Sequence, residues 1–527
     1  MTSSFPPDWV TVHAARTPDA PALDSLQHRL SYRALAERIR DLAGHLADRG
    51  VNARDRVVVA LPTSPAAAVA ALAVQSLGAC AVEIDRAMGA AGFASVLRQT
   101  RPRFSVVAAQ DTPHWLTAAE DAQLDWAWTL GAARAGTAMP ARGTTVILAD
   151  GSVAPEARGF TPPPRPALPD DAPALILFTS GSTGKPRGVV QTFRNLAANT
   201  SSIVQYLELG ASDRAMLILP FHYCYGRSVL QTHLYAGGSC FLDPRFMYPR
   251  VVMEAIGSEG CTGFAGVPLT FEILRREVDP SAIPMPRLRY VTQAGGPMRP
   301  ETIRWARQAL APARLFVMYG QTEATARLAY LPPERGEEKM GSIGIPIPGV
   351  ELRVVDEAGS ELPTGESGHL VARGDNVTPG YLEAPEETAA ILHDGWLWTG
   401  DLARRDEDGY LFLVGRAKEI LKIGGHRVSP VEMEVVLAEH AAVAEVAVVG
   451  AADAVQGEVA VAFVVLRAGA AATEADLRRF CRERLPAHKI PSQVEFLEAI
   501  PRNASGKPLK AELAARARVA RPEGTER

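Results

Sequence analysis

Short apolar runs that end in glycine, proline or polar residues alternate with longer amphipathic runs along most of this chain. "DRVVVALP" has the pattern of a strand, the alanine-rich "PAAAVAALAVQS" that of a buried helix, and "CAVEI" and "FSVVAA" those of further strands. This rhythm predicts an α/β sheet with crossover helices. The proline-rich "TPPPRPALPDDAP" reads as a linker that closes a first portion near residue 170. After it come the strand-like "ALILFTS", "AMLILP", "SCFLD", "GFAGVP", "LRYVTQAGG" and "LFVMYG", with helical runs such as "PETIRWARQALA" between them. Ligands of open α/β sheets gather at the carboxyl ends of strands, and those ends are where the unusual residues of this chain lie.

From about Gly341 the pattern changes to short strands and turns, "VELRVVDEAGSELPTGESGHLVARG", which predicts a small β-rich subdomain running to "DGYLFLVGRAKE". The tail then offers two helices, "SPVEMEVVLAEH" and "TEADLRRFCRERL", and three strands, "VAEVAVVG", "VAVAFVVL" and "QVEFLEAIP". Roughly 110 residues are enough for an α+β domain of its own. The expected fold is α/β: a large N-terminal domain, 1–415, with subdomains of about 1–170, 171–340 and 341–415, then an α+β C-terminal domain at 419–527.

Composition narrows the class. With 47% hydrophobic and 22% charged residues among 527, the chain has the profile of a soluble globular protein of several domains. A formal net charge of −4 without a long basic run gives no reason to expect nucleic acid. The five cysteines stand singly, without metal-ligand or disulfide spacing, as reduced thiols of a cytoplasmic protein would. No signal peptide is expected at the start, and the most apolar stretch is too broken by Gln75, Ser76 and Gly78 for a membrane span.

"FTSGSTGKPRGVV" raises the first chemical question. Gly181 and Gly184 can take positive φ and turn backbone N–H groups towards an anion, while Thr179, Ser180, Ser182 and Thr183 add hydroxyls and Lys185 and Arg187 add charge. It is not a P-loop: the glycine expected five places before Gly184 is Thr179, and Pro186 follows Lys185. A solvated turn has the same composition. In "MYGQTEA", Tyr319 could stack on a purine, Thr322 could donate to a phosphate and Glu323 could ligate Mg²⁺. Asp401 in "WTGDLARRDEDGYL" could take both hydroxyls of a ribose. "VGRAKEILKIGGHRVSP" gathers Arg416, Lys418, Lys422 and Arg427 about two glycines, and "IPRNASGKPLK" sets Lys507 on a Ser-Gly turn. Each signal alone reads equally well as a turn or a basic surface hairpin.

In order and spacing these motifs resemble the adenylate-forming superfamily, which includes acyl-CoA synthetases, luciferases and peptide-synthetase adenylation domains. The resemblance runs from "RLSYRALAERIRDLAGHLADRGVNARDRVVVALP" through "TSGSTGKPRGV", "YGQTEA", "TGDL" and "GRAKEILKIGGHRVSPVEME" to "PRNASGKPLK". It implies that Thr179, Ser180, Gly181, Ser182, Thr183, Gly184 and Lys185 hold the β- and γ-phosphates of ATP. Tyr319, with Gly320 and Gln321, would face the adenine opposite Gly295 and Gly296 of "AGGP". Thr322 would meet the α-phosphate, Glu323 a Mg²⁺ ion, and Asp401 and Arg416 the ribose. Lys507 would bridge the substrate carboxylate and the α-phosphate, with residues 416–418 forming a hinge at Lys418 and 419–527 a mobile lid. Gly424, Gly425, His426 and Arg427 would line a pantetheine tunnel.

The implied reaction is activation of a carboxylic acid by ATP to an acyl-adenylate, with release of pyrophosphate, then transfer to the thiol of coenzyme A or of a carrier protein in trans. Pocket candidates are His222, Tyr223, Tyr225, Gly226, Phe264, Ala265 and Gly266. Arg227 beside them either meets a second carboxylate or, more commonly for arginine, lies at the surface. Two positions depart from the family pattern: Arg187 stands where Lys is usual, and the His222/Tyr223 pair is one residue out of register. An amino-acid adenylation enzyme is the alternative, disfavoured because no acidic residue stands in "FHYCYG" to pair with an ammonium. An inactive nucleotide-binding homologue is a second alternative, against which Glu323, Asp401 and Lys507 argue.

Overall fold

The computed structural model describes residues 4–108, 111, 115, 118, 128–132, 145–147, 161–165, 167–180, 186–453, 456–502 and 508–519. The chain divides into two compact units. The larger comprises Met1–Met340, Gly344–Leu352 and Ala372–Leu397, and the smaller Gly341–Ile343, Arg353–Val371 and Trp398–Arg527.

Two sheets build the larger unit. In the first, Arg56–Ala60 lies between the parallel strands Cys80–Glu83 and Phe104–Ala108, and Cys80–Glu83 pairs in turn with Pro173–Ser180. Pro173–Ser180 forms an antiparallel hairpin with Pro186–Thr192, and the two-residue strand Gly380–Tyr381 pairs with the far side of that hairpin. The alanine-rich helix Pro65–Ser76 is almost wholly buried, because small side chains on every face let it sit within the core.

The second sheet carries the strand ends that matter most. Arg214–Leu217, Gly263–Gly266, Tyr290–Gln293 and Arg314–Tyr319 run parallel as immediate neighbours, and Ala329–Leu331 returns antiparallel beside the last. Their carboxyl ends therefore emerge side by side. The strands Pro21–Ser25 and Arg29–Ser31 also join this sheet, whereas Pro173–Ser180 and Pro186–Thr192 belong to the first. The expected subdomain cut near residue 170 is corrected accordingly, since both sheets draw strands from either side of it. Pattern identifies strands but not the sheet each one joins, because a crossover can deliver a strand to either.

The smaller unit contains the hairpin of Leu411–Arg416 with all but the first two residues of Trp396–Arg405, and a separate sheet of Leu421–Ile423, His426–Val428, Val443–Asp453, Gly457–Leu466 and Gln493–Phe496. The helices Pro430–Ala438 and Glu474–Arg482 cover that sheet, with Met433, Leu437, Leu477 and Cys481 in its core. The three tail strands and two helices expected from the sequence are all present.

Candidate active site

The turn after Tyr319 is shaped by what surrounds it. Gly320 is glycine because a Cβ there would lie 2.0 Å from the carbonyl oxygen of Ala326, where the chain folds back on itself. The returning segment is fixed by the Leu328 N–H donating to the Tyr319 carbonyl at 2.9 Å. Thr325 adopts φ 65, uncommon for a β-branched residue, and its hydroxyl donates to the Asn376 carbonyl at 2.7 Å. Such a conformation persists only where the surroundings over-determine it. They do here, because the buried Gln191 amide donates to the carbonyls of both Thr322 (3.1 Å) and Thr325 (3.2 Å).

Gln191 belongs to the strand Pro186–Thr192, so these bonds tie the hairpin that carries the phosphate-loop motif to the "YGQTEA" turn. A second tie runs through Tyr381. Its hydroxyl donates to Glu323 Oε1 at 2.7 Å, and Arg187 lies over its ring at 5.6 Å. Burial, then the adjacent Glu323 carboxylate, hold the Tyr381 phenol above its usual pKa, so it remains a donor. Arg187 stands directly across the hairpin from Thr179. The helix that follows starts with a reciprocal cap: Asn195 N–H donates to Thr192 Oγ1 (3.1 Å) and Thr192 N–H to Asn195 Oδ1 (2.9 Å), an arrangement worth about 1 kcal/mol. The Asn195 amide also holds the carbonyls of Asp375 and Val377, and Thr378 Oγ1 donates to the Val190 carbonyl. Residues 375–381 are thereby fixed against the hairpin.

Thr322 Oγ1 donates to Cys224 Sγ at 3.5 Å, which brings in the segment that follows Arg214–Leu217. Tyr223 from that segment sits against Gly295: a Cβ at Gly295 would meet the Tyr223 hydroxyl oxygen at 2.3 Å, and φ there is +94. His222 lies 3.9 Å from Asp85, and burial, opposed by Asp85, lowers its pKa. Asp85 comes from a distant part of the chain, so the reading of this neighbourhood as free of acid is corrected.

Of the pocket candidates, Tyr225, Phe264 and Ala265 line a cavity of about 20 Å³ beneath the strand ends, together with Thr292, Met318 and Arg327. His222, Tyr223, Gly226 and Gly266 are not among its lining residues. Gly226 packs on the carbonyl oxygens of Pro220 and Leu219, and Gly266 on Thr270 and Phe271. Arg227 is neither a surface residue nor a pocket residue: its side chain is 2% exposed and meets Glu83, 3% exposed, at 3.0 Å.

In the smaller unit Asp401 and Arg416 are direct cross-strand partners, with Arg416 Nε 2.9 Å from Asp401 Oδ1 and the Asp401 side chain 7% exposed. Lys418 lies in a single 3₁₀ turn, Ala417–Glu419. Gly424 and Gly425, at φ +54 and +83, make the tight turn between Leu421–Ile423 and His426–Val428, and His426 stacks on His488 at 4.2 Å. Gly181, Ser182, Thr183, Gly184, Lys185 and Lys507, with the side chains of Ser180 and Arg427, lie outside the described residues.

Residues 10–382 match the family model for AMP-binding enzymes, and residues 432–507 match that for the AMP-binding enzyme C-terminal domain. The chain belongs to this adenylate-forming family. It is an AMP-forming acid–thiol ligase of the acyl-CoA synthetase type, which uses ATP and Mg²⁺ to convert a carboxylic acid to its acyl-adenylate and passes the acyl group to coenzyme A. The chain is 33% identical over 502 residues to a sulfoacetate–CoA ligase of Cupriavidus necator (94% of this chain, 95% of the other). It is 32% identical over 501 residues to an indoleacetate–CoA ligase of Aromatoleum aromaticum (95% and 96%). A solved structure of o-succinylbenzoate-CoA synthetase from Bacillus subtilis with its acyl-adenylate intermediate matches at TM-score 0.83 and 28% identity, covering 96% of this chain and 98% of the other. The same enzyme has been solved with ATP and magnesium.

The donor set around Glu323 suits this hard cation. Tyr381 engages one oxygen of the Glu323 carboxylate, and among the described residues no three ligating side chains converge on a point. Mg²⁺ is commonly held in this way, by one or two carboxylates together with substrate phosphates rather than by a protein cage.

The residues that sequence reasoning missed are Gln191, Tyr381 and Arg327. Tyr381 had a signal in "TPGYLEAPEET", where a Gly-Tyr pair interrupts a polar stretch, and Arg327 in the lone cation of "ATARLAYL".

Proposed function

We propose that the ligase adenylates its acid at the strand ends of the larger unit, with roles assigned residue by residue. The observation that carries the reading is the clamp of Gln191 and Tyr381, which holds the hairpin of Thr179 and Arg187 against the turn of Thr322 and Glu323. Triphosphate contacts and a cation ligand are needed at one place, and this clamp supplies the means to hold them there. In this reading Thr179–Lys185 cradle the β- and γ-phosphates, Tyr319 packs on adenine, Thr322 donates to the α-phosphate and Glu323 holds Mg²⁺. Asp401, set by Arg416, takes the ribose hydroxyls.

Chemistry demands such a set because a carboxylate attacking the α-phosphorus brings anion towards anion. At about 4 Å and an effective dielectric near 20, one well-placed positive charge offsets roughly 4 kcal/mol of that repulsion. Lys507 is assigned that role. Bound Mg²⁺ neutralises phosphate charge, and no side-chain nucleophile is required. After adenylation the domain that begins at 419 turns about Lys418 to present Gly424–Arg427 to the thiol. Free coenzyme A is the acceptor, with a carrier protein's phosphopantetheine arm as the competing candidate.

The relatives act on sulfoacetate, indoleacetate and o-succinylbenzoate, acids of different size and shape, of which the first and third carry a second anionic group. An amino acid is disfavoured on new grounds: among the described residues no acidic side chain lines the cavity to meet an ammonium, and Arg327 does line it. The test is ATP–pyrophosphate exchange with a panel of acids, together with product analysis. Formation of AMP and pyrophosphate is expected, and ADP with phosphate would overturn the reading.

A further inference from the structure

Three arginines are buried in the larger unit among the described residues: Arg214, Arg227 and Arg327. Two have carboxylate partners, Arg214 with Asp24 at 2.8 Å and Arg227 with Glu83 at 3.0 Å. Arg327 is only 3% exposed, yet no aspartate or glutamate among the described residues pairs with it. Its guanidinium carbon lies 4.1 Å from the centre of the Tyr225 ring, Nε donates to Met318 Sδ at 3.3 Å, and Nη1 donates at 3.3 Å to the Ala326 carbonyl. The nearby phenols offer no charge, because burial holds Tyr206, Tyr223 and Tyr225 all above their usual pKa, Tyr225 at about 12. A buried cation whose neighbours are an aromatic face, a thioether, one long hydrogen bond to a carbonyl and the Tyr206 phenol has hydrogen-bond partners but no counter-charge to offset its desolvation cost.

This cation lines the cavity of about 20 Å³ described above. The volume suffices for one water, so an anionic group reaches Arg327 by displacing the side chains that line the cavity. Phe264, Thr292 and Met318 line it as well, each one or two residues before the carboxyl end of its strand, while Ala215, Gly263 and Tyr290 line it nearer the amino ends. The cavity thus runs beneath these strands on the way to the ends where the reacting carboxylate is expected, with Arg327 in its wall.

We propose that Arg327 recognises a second anionic group on the acid, so that the ligase activates short acids that end in a carboxylate or a sulfonate opposite the carboxylate that reacts. The assignment rests on the adenylation reading given above. It moves the anion contact considered for Arg227 to a residue that has no carboxylate of its own. A purely structural Arg327, held by its aromatic contact, is the competing account.

Exchange of pyrophosphate into ATP is measured with succinate and 3-sulfopropionate against butyrate, and with glutarate against pentanoate. The wild-type protein is expected to use at least one anionic acid 10-fold or more better than its neutral counterpart, in kcat/KM. Comparison of succinate with 3-sulfopropionate distinguishes carboxylate from sulfonate recognition. Arg327→Met should abolish or invert that preference, chiefly through KM, and Arg327→Lys should restore part of it. Should Arg327→Met fold poorly, calorimetric titration of succinate into the wild-type and Arg327→Lys proteins with a non-hydrolysable ATP analogue gives the second measure, with weaker but detectable binding expected in the Lys variant. Equal loss for anionic and neutral acids in the Met variant, or equal succinate affinity in the wild-type and Lys proteins, would assign Arg327 to packing and overturn the proposal. Exchange with butyrate or pentanoate but with no anionic acid overturns it while leaving adenylation intact. Absence of exchange with both series and with a wider set of aliphatic and aromatic acids removes both readings together.

Discussion

Glu323 and Tyr381 form the most exposed single dependency of the site, because one phenolic hydrogen bond orients the carboxylate assigned to the metal. A hydrogen bond to a charged group contributes about 1.5–3 kcal/mol. Tyr381→Phe should therefore lower kcat/KM for Mg·ATP by roughly 10- to 100-fold, with a raised requirement for Mg²⁺. Exchange rates measured across a magnesium titration check this, and wild-type magnesium dependence would free Glu323 from the metal role. The Arg227–Glu83 pair behaves differently, since both side chains are buried and serve stability. Arg227→Met alone strands a buried carboxylate and should cost about 3–5 kcal/mol. Arg227→Met combined with Glu83→Leu should recover most of that loss, as denaturant unfolding would reveal. If the double variant is no more stable than the single one, the pair is not the source of the cost.

At the level of elements, the hairpin Pro173–Ser180/Pro186–Thr192 and the turn after Tyr319 work as a clamp with Gln191 as its pin. Gln191→Leu leaves the buried Thr325 carbonyl without its Gln191 donor, at about 1–3 kcal/mol, leaves the Thr322 carbonyl with only the Thr325 N–H at 3.0 Å, and loosens the strained backbone at Thr325. The expected signature is a fall in exchange rate of at least 10-fold with faster amide hydrogen exchange at residues 320–328. A variant with unaltered exchange of those amides would contradict the pinning. Most strands of the larger unit after Arg56 and the strands and helices of the tail were legible in the sequence from alternating and helical spacing, whereas Pro6–Arg16, Pro21–Ser25, Arg29–Ser31 and Tyr32–Asp48 were not read. The motif residues Tyr319, Thr322 and Glu323 were legible because their chemistry is carried in adjacent positions. Partnerships were not. Gln191 stands among "VVQTF" with nothing to mark it, and Tyr381 meets Glu323 across 58 residues of chain. Asp85 reaches His222 only because the first sheet delivers it there. Arg227 and Arg327 look alike in sequence, and only the fold supplies one of them with a carboxylate.

For the whole molecule, the assigned roles separate into two half-reactions that single substitutions should uncouple. Lys507→Ala should slow pyrophosphate exchange by at least 100-fold yet still turn supplied acyl-adenylate into thioester. Gly425 at φ +83 is explained by its turn, with no atom of the described residues within 4 Å of where a Cβ would be, so the substitution needs a control that tolerates this conformation. Gly425→Leu should block thioester formation and spare exchange, while Gly425→Asn, which accepts positive φ, should leave both steps intact. Equal damage to both steps by Leu would indicate a folding defect and end the two-face account. A different freedom belongs to Arg327. Its carbonyl is gripped by the Asn199 amide at 3.0 Å and the Asn376 amide at 2.9 Å, so the backbone there is anchored whatever side chain hangs from it. Diet can then diverge from architecture by one codon: a descendant that replaces this arginine would inherit the nucleotide machinery intact and simply feed on a different acid.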